Sequence, residues 1–193
     1  MSIFFFGGSF DPPHIGHLQI IEACFKKFDV KKFILIPTKQ SPLKHEIPIA
    51  ASFHRIQMLK LLINNLKQNI IIDDFEITGT TPSYTYETIK HLKAIYPNCH
   101  LSMIIGEDQL ICFNKWRNYR KINEAVKIIV FNRLENNNKS IEDKGILRVS
   151  DFHVDISSTS IRNIFSIGHS PINELTTLVY DYIVNNKLYD LDA

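Results

Sequence analysis

Residues 3–18 read "IFFFGGSFDPPHIGHL": an apolar run passes straight into two glycines, an Asp-Pro-Pro segment and two histidines three positions apart. The opening "IFFF" has the aromatic and β-branched character of a strand, and a helical pattern starts near His14. The residues between form a loop at the carboxyl end of a first strand. In open α/β sheets ligands gather at that end, and the first strand-to-helix loop is the usual seat of a phosphate.

The loop's residue types fit that seat. Gly7 and Gly8 let the backbone approach a ligand and take positive φ, while Pro12 and Pro13 keep the loop extended before the helix. His14 and His17 fall on one side of the helix start, facing whatever lies over its N-terminus, with no side chain on Gly16 to obstruct the approach. Two imidazole donors and a helix dipole stabilise anionic oxygens in a crowded transition state without a covalent nucleophile, which suits phosphoryl or nucleotidyl transfer. Neither Gly-x-x-x-x-Gly-Lys-Ser/Thr nor Gly-x-Gly-x-x-Gly occurs, so the two common phosphate loops are excluded. A metal site built on the histidine pair lacks a third ligand at typical spacing. Two structural histidines in a tight turn stay open as the plainer alternative.

Outward from this loop, short β-rich runs alternate with stretches of helical period, predicting an α/β fold with a doubly wound, mainly parallel sheet covered on both faces. The expected strands are Ile3–Phe6, Lys32–Ile36, Ile70–Asp74, Leu101–Ile105, Lys127–Phe131 and Leu147–Val149. A helix over Ala51–Leu66, with Ser52 as N-cap, places Ile56, Leu59, Leu62, Ile63 and Leu66 on one stripe. A C-terminal helix is expected to start at Ser170 and Pro171 and to bury Leu175, Leu178, Val179, Tyr182 and Ile183. The polar "ENNNKSIEDKG" of Glu135–Gly145 reads as a surface loop, and the 193 residues as a single domain spanning 1–193.

Composition narrows the function classes. A net charge of +2 gives no global basic field, so nucleic acid is not expected as a partner. Cys24, Cys99 and Cys112 are scattered and odd in number, against a disulfide framework or a zinc knuckle. No window approaches the ~20 apolar residues of a membrane span, and a cytoplasmic, soluble protein is expected.

A second polar cluster, "VDISSTSIRNIF" of Val154–Phe165, leads into a short helix. Ser157, Ser158 and Thr159 are candidate caps that leave N–H groups for an anion, with Arg162 in the first turn. Three further segments carry candidate ligand contacts. "IPTKQSPLKHE" puts Lys39 and Lys44 after a strand, where lysine reaches phosphate or is merely solvated. "TTPSYTYETIKHL" sets Tyr84 and Thr85 at a helix start, offering backbone donors to a small anion. "IGEDQLICFNKWRNYRKI" carries Gly106, Asp108, Arg117 and the chain's one tryptophan, Trp116, a core residue or a ligand platform.

"GGSFDPPHIGHL" resembles the signature of the nucleotidyltransferase superfamily that shares His-x-Gly-His with class I aminoacyl-tRNA synthetases, and "ISSTSIR" resembles its triphosphate-holding element. With the other segments the chain is similar to the nicotinate-nucleotide adenylyltransferases, along nearly its whole length. The resemblance implies a Rossmann-like nucleotidyltransferase fold, with ATP and nicotinate mononucleotide as substrates. His14, His17, Lys44 and Arg162 would then be catalytic. Gly7, Gly8, Ser9, Phe10, His14, His17, Gly106, Asp108, Ser157, Ser158 and Arg162 would bind ATP. Lys44, Tyr84, Thr85, Trp116 and Arg117 would bind the acceptor. Mg²⁺ would accompany ATP, held by substrate and water with no protein metal ligands, and a homo-oligomer is left open. Leu43, Glu107 and Tyr119 depart from the family pattern. An acceptor bearing nicotinamide or pantetheine, or a catalytically silent nucleotide sensor, are the rival readings.

Overall fold

The structure, a computed structural model, describes residues 1–42, 47–79, 82–131, 145–149, 152 and 154–189. Strand β1 (Ser2–Gly8) runs through the loop to helix α1 (Ile15–Lys27), then β2 (Lys32–Pro37), α2 (Ser52–Leu62), β3 (Ile70–Ile72), the one-turn α3 (Phe75–Thr78) and α4 (Thr85–Ile95). The second half continues as β4 (His100–Gly106), α5 (Glu107–Ile111), a 3₁₀ turn (Phe113–Lys115), α6 (Tyr119–Ala125), β5 (Lys127–Phe131), β6 (Ile146–Val149), α7 (Ser158–Ser166) and α8 (Thr177–Asn185).

The strands form one sheet in the order β3-β2-β1-β4-β5-β6. Every pairing is parallel, so the expected "mainly parallel" sheet is wholly so among the described residues. The chain winds outward from β1 to β3, then returns to β4 on the other side of β1, and the crevice between the ends of β1 and β4 is the switch point where ligands bind in such sheets.

Parallel strands are covered on both faces, and their sequences are accordingly continuous apolar runs such as "KFILIP" and "KIIVF". On β1 the side chains alternate. Phe5 enters a core with Ile34, Met103, Ile128 and the helical Ile89, Leu92 and Ile122. Phe4 and Phe6 enter the opposite core with Leu35, Ile104, Ile129 and Ile20, Ile21, Cys24 and Leu59 of α1 and α2. Phe5 stands opposite Ile34 of β2 and Met103 of β4. A third cluster of Met58, Leu62, Ile161, Phe165, Val179 and Ile183 packs α2, α7 and α8 together.

Several local expectations are corrected. The second helix begins at Ser52 with Ala51 at its N-cap and ends at Leu62. Its buried face is Arg55, Met58, Leu59 and Leu62; Leu59 and Leu62 are buried as the apolar stripe requires, Ile56, Ile63 and Leu66 are part-buried, and Arg55 joins the face because it donates to the carbonyls of Ala50 and Ser9. The last helix begins at Thr177, with Thr176 as N-cap, six residues after the expected Pro171 start. Residues 172–174 form a turn there, and the Glu174 carbonyl accepts from the Ile15 amide at 2.9 Å. Leu178 is consequently exposed while Leu175 is buried. The third strand stops at Ile72, since Asp73 turns to accept from the Phe75 amide at 3.0 Å. The expected loop over 135–144 lies outside the described residues.

Phe5 is 2% exposed in the central strand, so Phe5→Ala should lower unfolding free energy by about 3–5 kcal/mol in denaturant titration.

Candidate active site

The two histidines of the first loop are both buried, at the start of α1. His14 is the N-cap in extended conformation and His17 the third helical residue. The His14 backbone N–H donates to Nδ1 of His17 at 3.1 Å. A nitrogen that accepts carries no proton, so this bond assigns the neutral ring's hydrogen to Nε2 and makes that atom the donor. The His14 and His17 ring centroids lie 3.8 Å apart.

What holds His17 is an aromatic beneath it. Phe10, 1% exposed, sets its ring 5.0 Å from that of His17 and 5.6 Å from that of Phe6. Its backbone sits at φ 48, a left-handed conformation that a phenylalanine tolerates only when its surroundings enforce it. The positive φ expected of Gly7 or Gly8 thus falls on Phe10 instead, and its side chain is committed to the core. Gly16 also serves packing rather than access: a Cβ there would stand 2.6 Å from Cγ1 of Val154 and 3.0 Å from two atoms of the His14 ring.

The loop is anchored by the carboxylate of Asp11, 2% exposed. Oδ2 accepts from the Ile49 amide at 2.7 Å, and Oδ1 accepts from the Ala50 amide at 3.0 Å and from the Tyr189 hydroxyl at 2.7 Å. Burial, and the carboxylate beside it, push the Tyr189 phenol far above its ordinary range, so it stays a donor. Beside this cluster the guanidinium of Arg55 donates to the carbonyls of Ser9 at 2.6 Å, Thr38 at 2.8 Å and Ala50 at 3.2 Å.

The second polar cluster meets the same loop. Ser157 caps α7, its Oγ accepting from the Ser160 amide at 3.0 Å. Ser158 is not a cap: its Oγ donates to the Pro12 carbonyl at 2.8 Å. Arg162, in the second turn rather than the first, donates to the Asp11 carbonyl at 2.7 Å. The structure thus brings His14, His17, Ser158 and Arg162 onto one loop. A narrow cleft beside the imidazoles is lined by Phe6, Gly106, Phe131, Val154 and Ile156. Gly106 caps the short α5, and Asp108 is exposed in its first turn. Glu107, the departure from the family pattern, is paired with Arg148 of β6 at 3.5 Å.

The expected acceptor residues form a second group. Tyr84 is the N-cap of α4 and Thr85 its first residue. The guanidinium of Arg117 lies over the Tyr84 ring at 4.7 Å, joining two segments that are separate in sequence. Trp116 is half-buried against the core that holds Phe5, tilted 5.4 Å from Phe113, and Tyr119 is edge-on to the same ring at 6.1 Å. Lys39 is exposed and donates to the Gly79 carbonyl at 3.4 Å. Lys44 and Leu43 lie outside the described residues. Under the Tyr84 turn, the carboxyl of Glu76 is buried; desolvation raises its pKa, Asp73 adds to the rise, and hydrogen bonds from Thr88, Thr38 and Ser83 oppose it.

Sequence pattern does not single out Arg55, Glu76, Tyr189 or the side chain of Asp11. Asp11 carries a signal, a carboxylate inside a Gly-Pro loop. The other three look like ordinary helix and terminal residues.

A parallel sheet whose switch-point loop carries paired imidazoles, with an arginine delivered from a second helix, is the framework of a nucleotidyltransferase. The cytidylyltransferase-like family pattern matches residues 5–164. Over 190 residues the chain is 39% identical to a protein of Leptospira borgpetersenii named "probable nicotinate-nucleotide adenylyltransferase", covering 95% of this chain and 94% of that one. A Staphylococcus epidermidis protein of the same name is 36% identical over 188 residues, covering 97% and 96%. The chain therefore belongs to the cytidylyltransferase-like family and, within it, to the nicotinate-nucleotide adenylyltransferases. The fold matches that of the Plasmodium falciparum nicotinic acid mononucleotide adenylyltransferase complexed with NaAD, with a TM-score of 0.79, 20% identity and 97% of each chain covered. Among the described residues no helix is long and apolar enough to cross a membrane.

Tyr189→Phe keeps the ring and removes one donor to Asp11. It should cost about 1–3 kcal/mol of stability and lower turnover by loosening the first loop, read by thermal melting and initial rates. Glu76→Gln tests the buried carboxyl. With a folded pKa raised above the ordinary value of 4.5, the native state holds a proton that the unfolded chain releases, so wild type loses stability as pH rises through that window. The melting temperature of Glu76→Gln relative to wild type should therefore climb from pH about 4.5 up to the raised pKa and level off above it.

Proposed function

We propose that this protein transfers the adenylyl group of ATP to the 5′-phosphate of nicotinate mononucleotide, giving nicotinate adenine dinucleotide and pyrophosphate. The family membership carries the reaction, and the observation that carries the chemistry is the His17 ring, with Nδ1 bonded to the backbone and Nε2 as the donor in a buried loop.

An oxygen of the mononucleotide phosphate attacks the α-phosphorus of ATP. A new P–O bond forms as the bond to the bridging oxygen breaks, and pyrophosphate leaves with its electron pair. The nucleophile is already an anion, so the protein's work is alignment and neutralisation. His17 Nε2 and the His14 ring stabilise charge on the α-phosphoryl oxygens. Arg162, Ser157, Ser158 and Lys44 steady the β- and γ-phosphates, and the backbone of Gly7, Gly8, Ser9 and Phe10 lines the approach. Gly106 and Asp108 hold the ribose. Mg²⁺ entering with ATP as part of the substrate would supply charge screening for the pyrophosphate. On the acceptor side, the amides at the start of α4 receive the nicotinate carboxylate, favoured there by the helix dipole, and Tyr84, Trp116 and Arg117 frame the ring. The Arg117 charge over the Tyr84 ring supports an acceptor whose pyridine ring bears a carboxylate over one bearing an uncharged carboxamide.

The test is pyrophosphate release with Mg-ATP and, in parallel, nicotinate mononucleotide, nicotinamide mononucleotide or 4′-phosphopantetheine. Turnover is expected with the first. His17→Ala should lower it by about 10²–10³ with the fold intact by circular dichroism, and near-normal turnover in that variant sinks the assignment.

A further inference from the structure

Among the described residues only two carboxylic side chains are buried, Asp11 and Glu76. Asp11 is explained by the donors it gathers. Glu76 is not, for an apolar residue between α3 and α4 would fill the same space without the cost of desolvating a carboxyl.

Its partners come from three separate segments. Thr88, in the first turns of α4, donates its hydroxyl to Oε1 of Glu76 at 2.6 Å. Ser83, immediately before the Tyr84 cap, donates its hydroxyl to the Glu76 backbone carbonyl at 3.5 Å, and the hydroxyl of Thr38, just past β2, lies near enough to the carboxyl to oppose the rise in its pKa. Each partner leads further. The Ser83 amide donates to the Gln40 carbonyl at 3.0 Å, which closes the start of α4 onto the segment after β2. The Thr38 amide donates to the Gly8 carbonyl at 2.8 Å, and the Thr38 carbonyl accepts from Arg55 at 2.8 Å. Arg55 in turn holds the Ser9 carbonyl at 2.6 Å. A continuous run of contacts therefore leads from the turn at Tyr84 and Thr85, through Thr88 and Glu76 to the neighbouring Thr38, and on to the loop that carries His14 and His17.

We propose that Glu76 is a positioning residue that sets the separation of the acceptor turn from the first loop. The proposal rests on the assignment of α4's N-terminus to the acceptor. In-line displacement needs the attacking oxygen about 3–3.5 Å from phosphorus, so a small drift of the turn toward solvent is enough to spoil it. Glu76 touches neither substrate. It acts through Thr88 and Ser83 on the acceptor side and lies beside Thr38 on the ATP side.

The consequence is asymmetric. The first loop has its own anchors in Asp11, Arg55 and Tyr189, whereas the acceptor turn leans on the Thr88 and Ser83 contacts of Glu76 together with the backbone bond from Ser83 to Gln40. Breaking the Glu76 contacts should harm acceptor binding and alignment and spare ATP. The experiment compares wild type with Glu76→Leu, Thr88→Val and Glu76→Gln. It measures KM for each substrate, kcat, melting temperature, and nicotinate mononucleotide affinity by calorimetry without ATP. Glu76→Leu and Thr88→Val should each raise KM and Kd for the mononucleotide by about 10–100-fold and lower kcat, with KM for ATP within about threefold. Glu76→Gln, which keeps an acceptor oxygen for Thr88, should restore most of the lost affinity. Thr88→Val removes one hydroxyl at constant shape, so it carries the test if Glu76→Leu does not fold. Unchanged acceptor affinity in the folded variants overturns the proposal, and so does a parallel loss for both substrates that tracks the melting temperature. Wild-type turnover confined to another acceptor defeats the functional reading alone; the same variants titrated with that acceptor then test Glu76 by the same criteria.

Discussion

The carboxylate of Asp11 is the contact on which the rest of the site depends. A buried charge is tolerated only when it is fully hydrogen-bonded, and Asp11 draws its three donors from residues 49, 50 and 189. Those donors reach it only when the segment before α2 has folded over the loop and the chain's far end has closed beneath it. Its own carbonyl, with that of Pro12, then receives Arg162 and Ser158 of α7. Arg162 and Ser158 therefore meet the loop only with tertiary closure, whereas the bond between His14 and His17 is local to the start of α1.

Closure also explains how distant parts of the chain share the site. Helix α7 reaches the loop because Ile161 and Phe165 are buried with Met58 and Leu62 of α2 and Val179 and Ile183 of α8. Ile161 points into that cluster and its neighbour Arg162 points to the loop, so apolar burial on one side of α7 aims the cation on the other. The histidine pair shows similar economy. A single backbone N–H, which a helix start would otherwise leave without an intrahelical partner, selects the tautomer of His17.

Much of this is legible in the sequence. The strands announce themselves as apolar runs between helical stretches, and the glycine, proline and histidine pattern of the first loop locates the phosphate side. The family resemblance adds the acceptor side. What escapes are properties that depend on partners far along the chain. Arg55 lies beside the apolar stripe of its helix, and only the carbonyls of Ser9, Thr38 and Ala50 explain its burial. Glu76 draws no notice in the sequence, since Ser83 and Thr88 reach it only once α3 and α4 have packed together. Tyr189 stands near the end of the sequence with nothing beside it to mark its target. Ser158 reads as a cap because serine at a helix start usually is one; the Pro12 carbonyl, 146 positions away, competes for it.

The three consecutive phenylalanines of β1 carry a further meaning. A strand is normally kept from sliding by its alternation of apolar and polar side chains, since a one-residue slip exchanges inside for outside. Phe4, Phe5 and Phe6 offer little such protection: a slip by one would put phenylalanine where phenylalanine was, in cores that accept the ring on either side. Register must then be fixed beyond the strand, where the Gly8 carbonyl meets the Thr38 amide and Asp11 meets its donors. The loop that gathers the phosphate-facing groups is thus also the proofreading device of the sheet, and a lesion there should yield mispaired chains as well as idle ones.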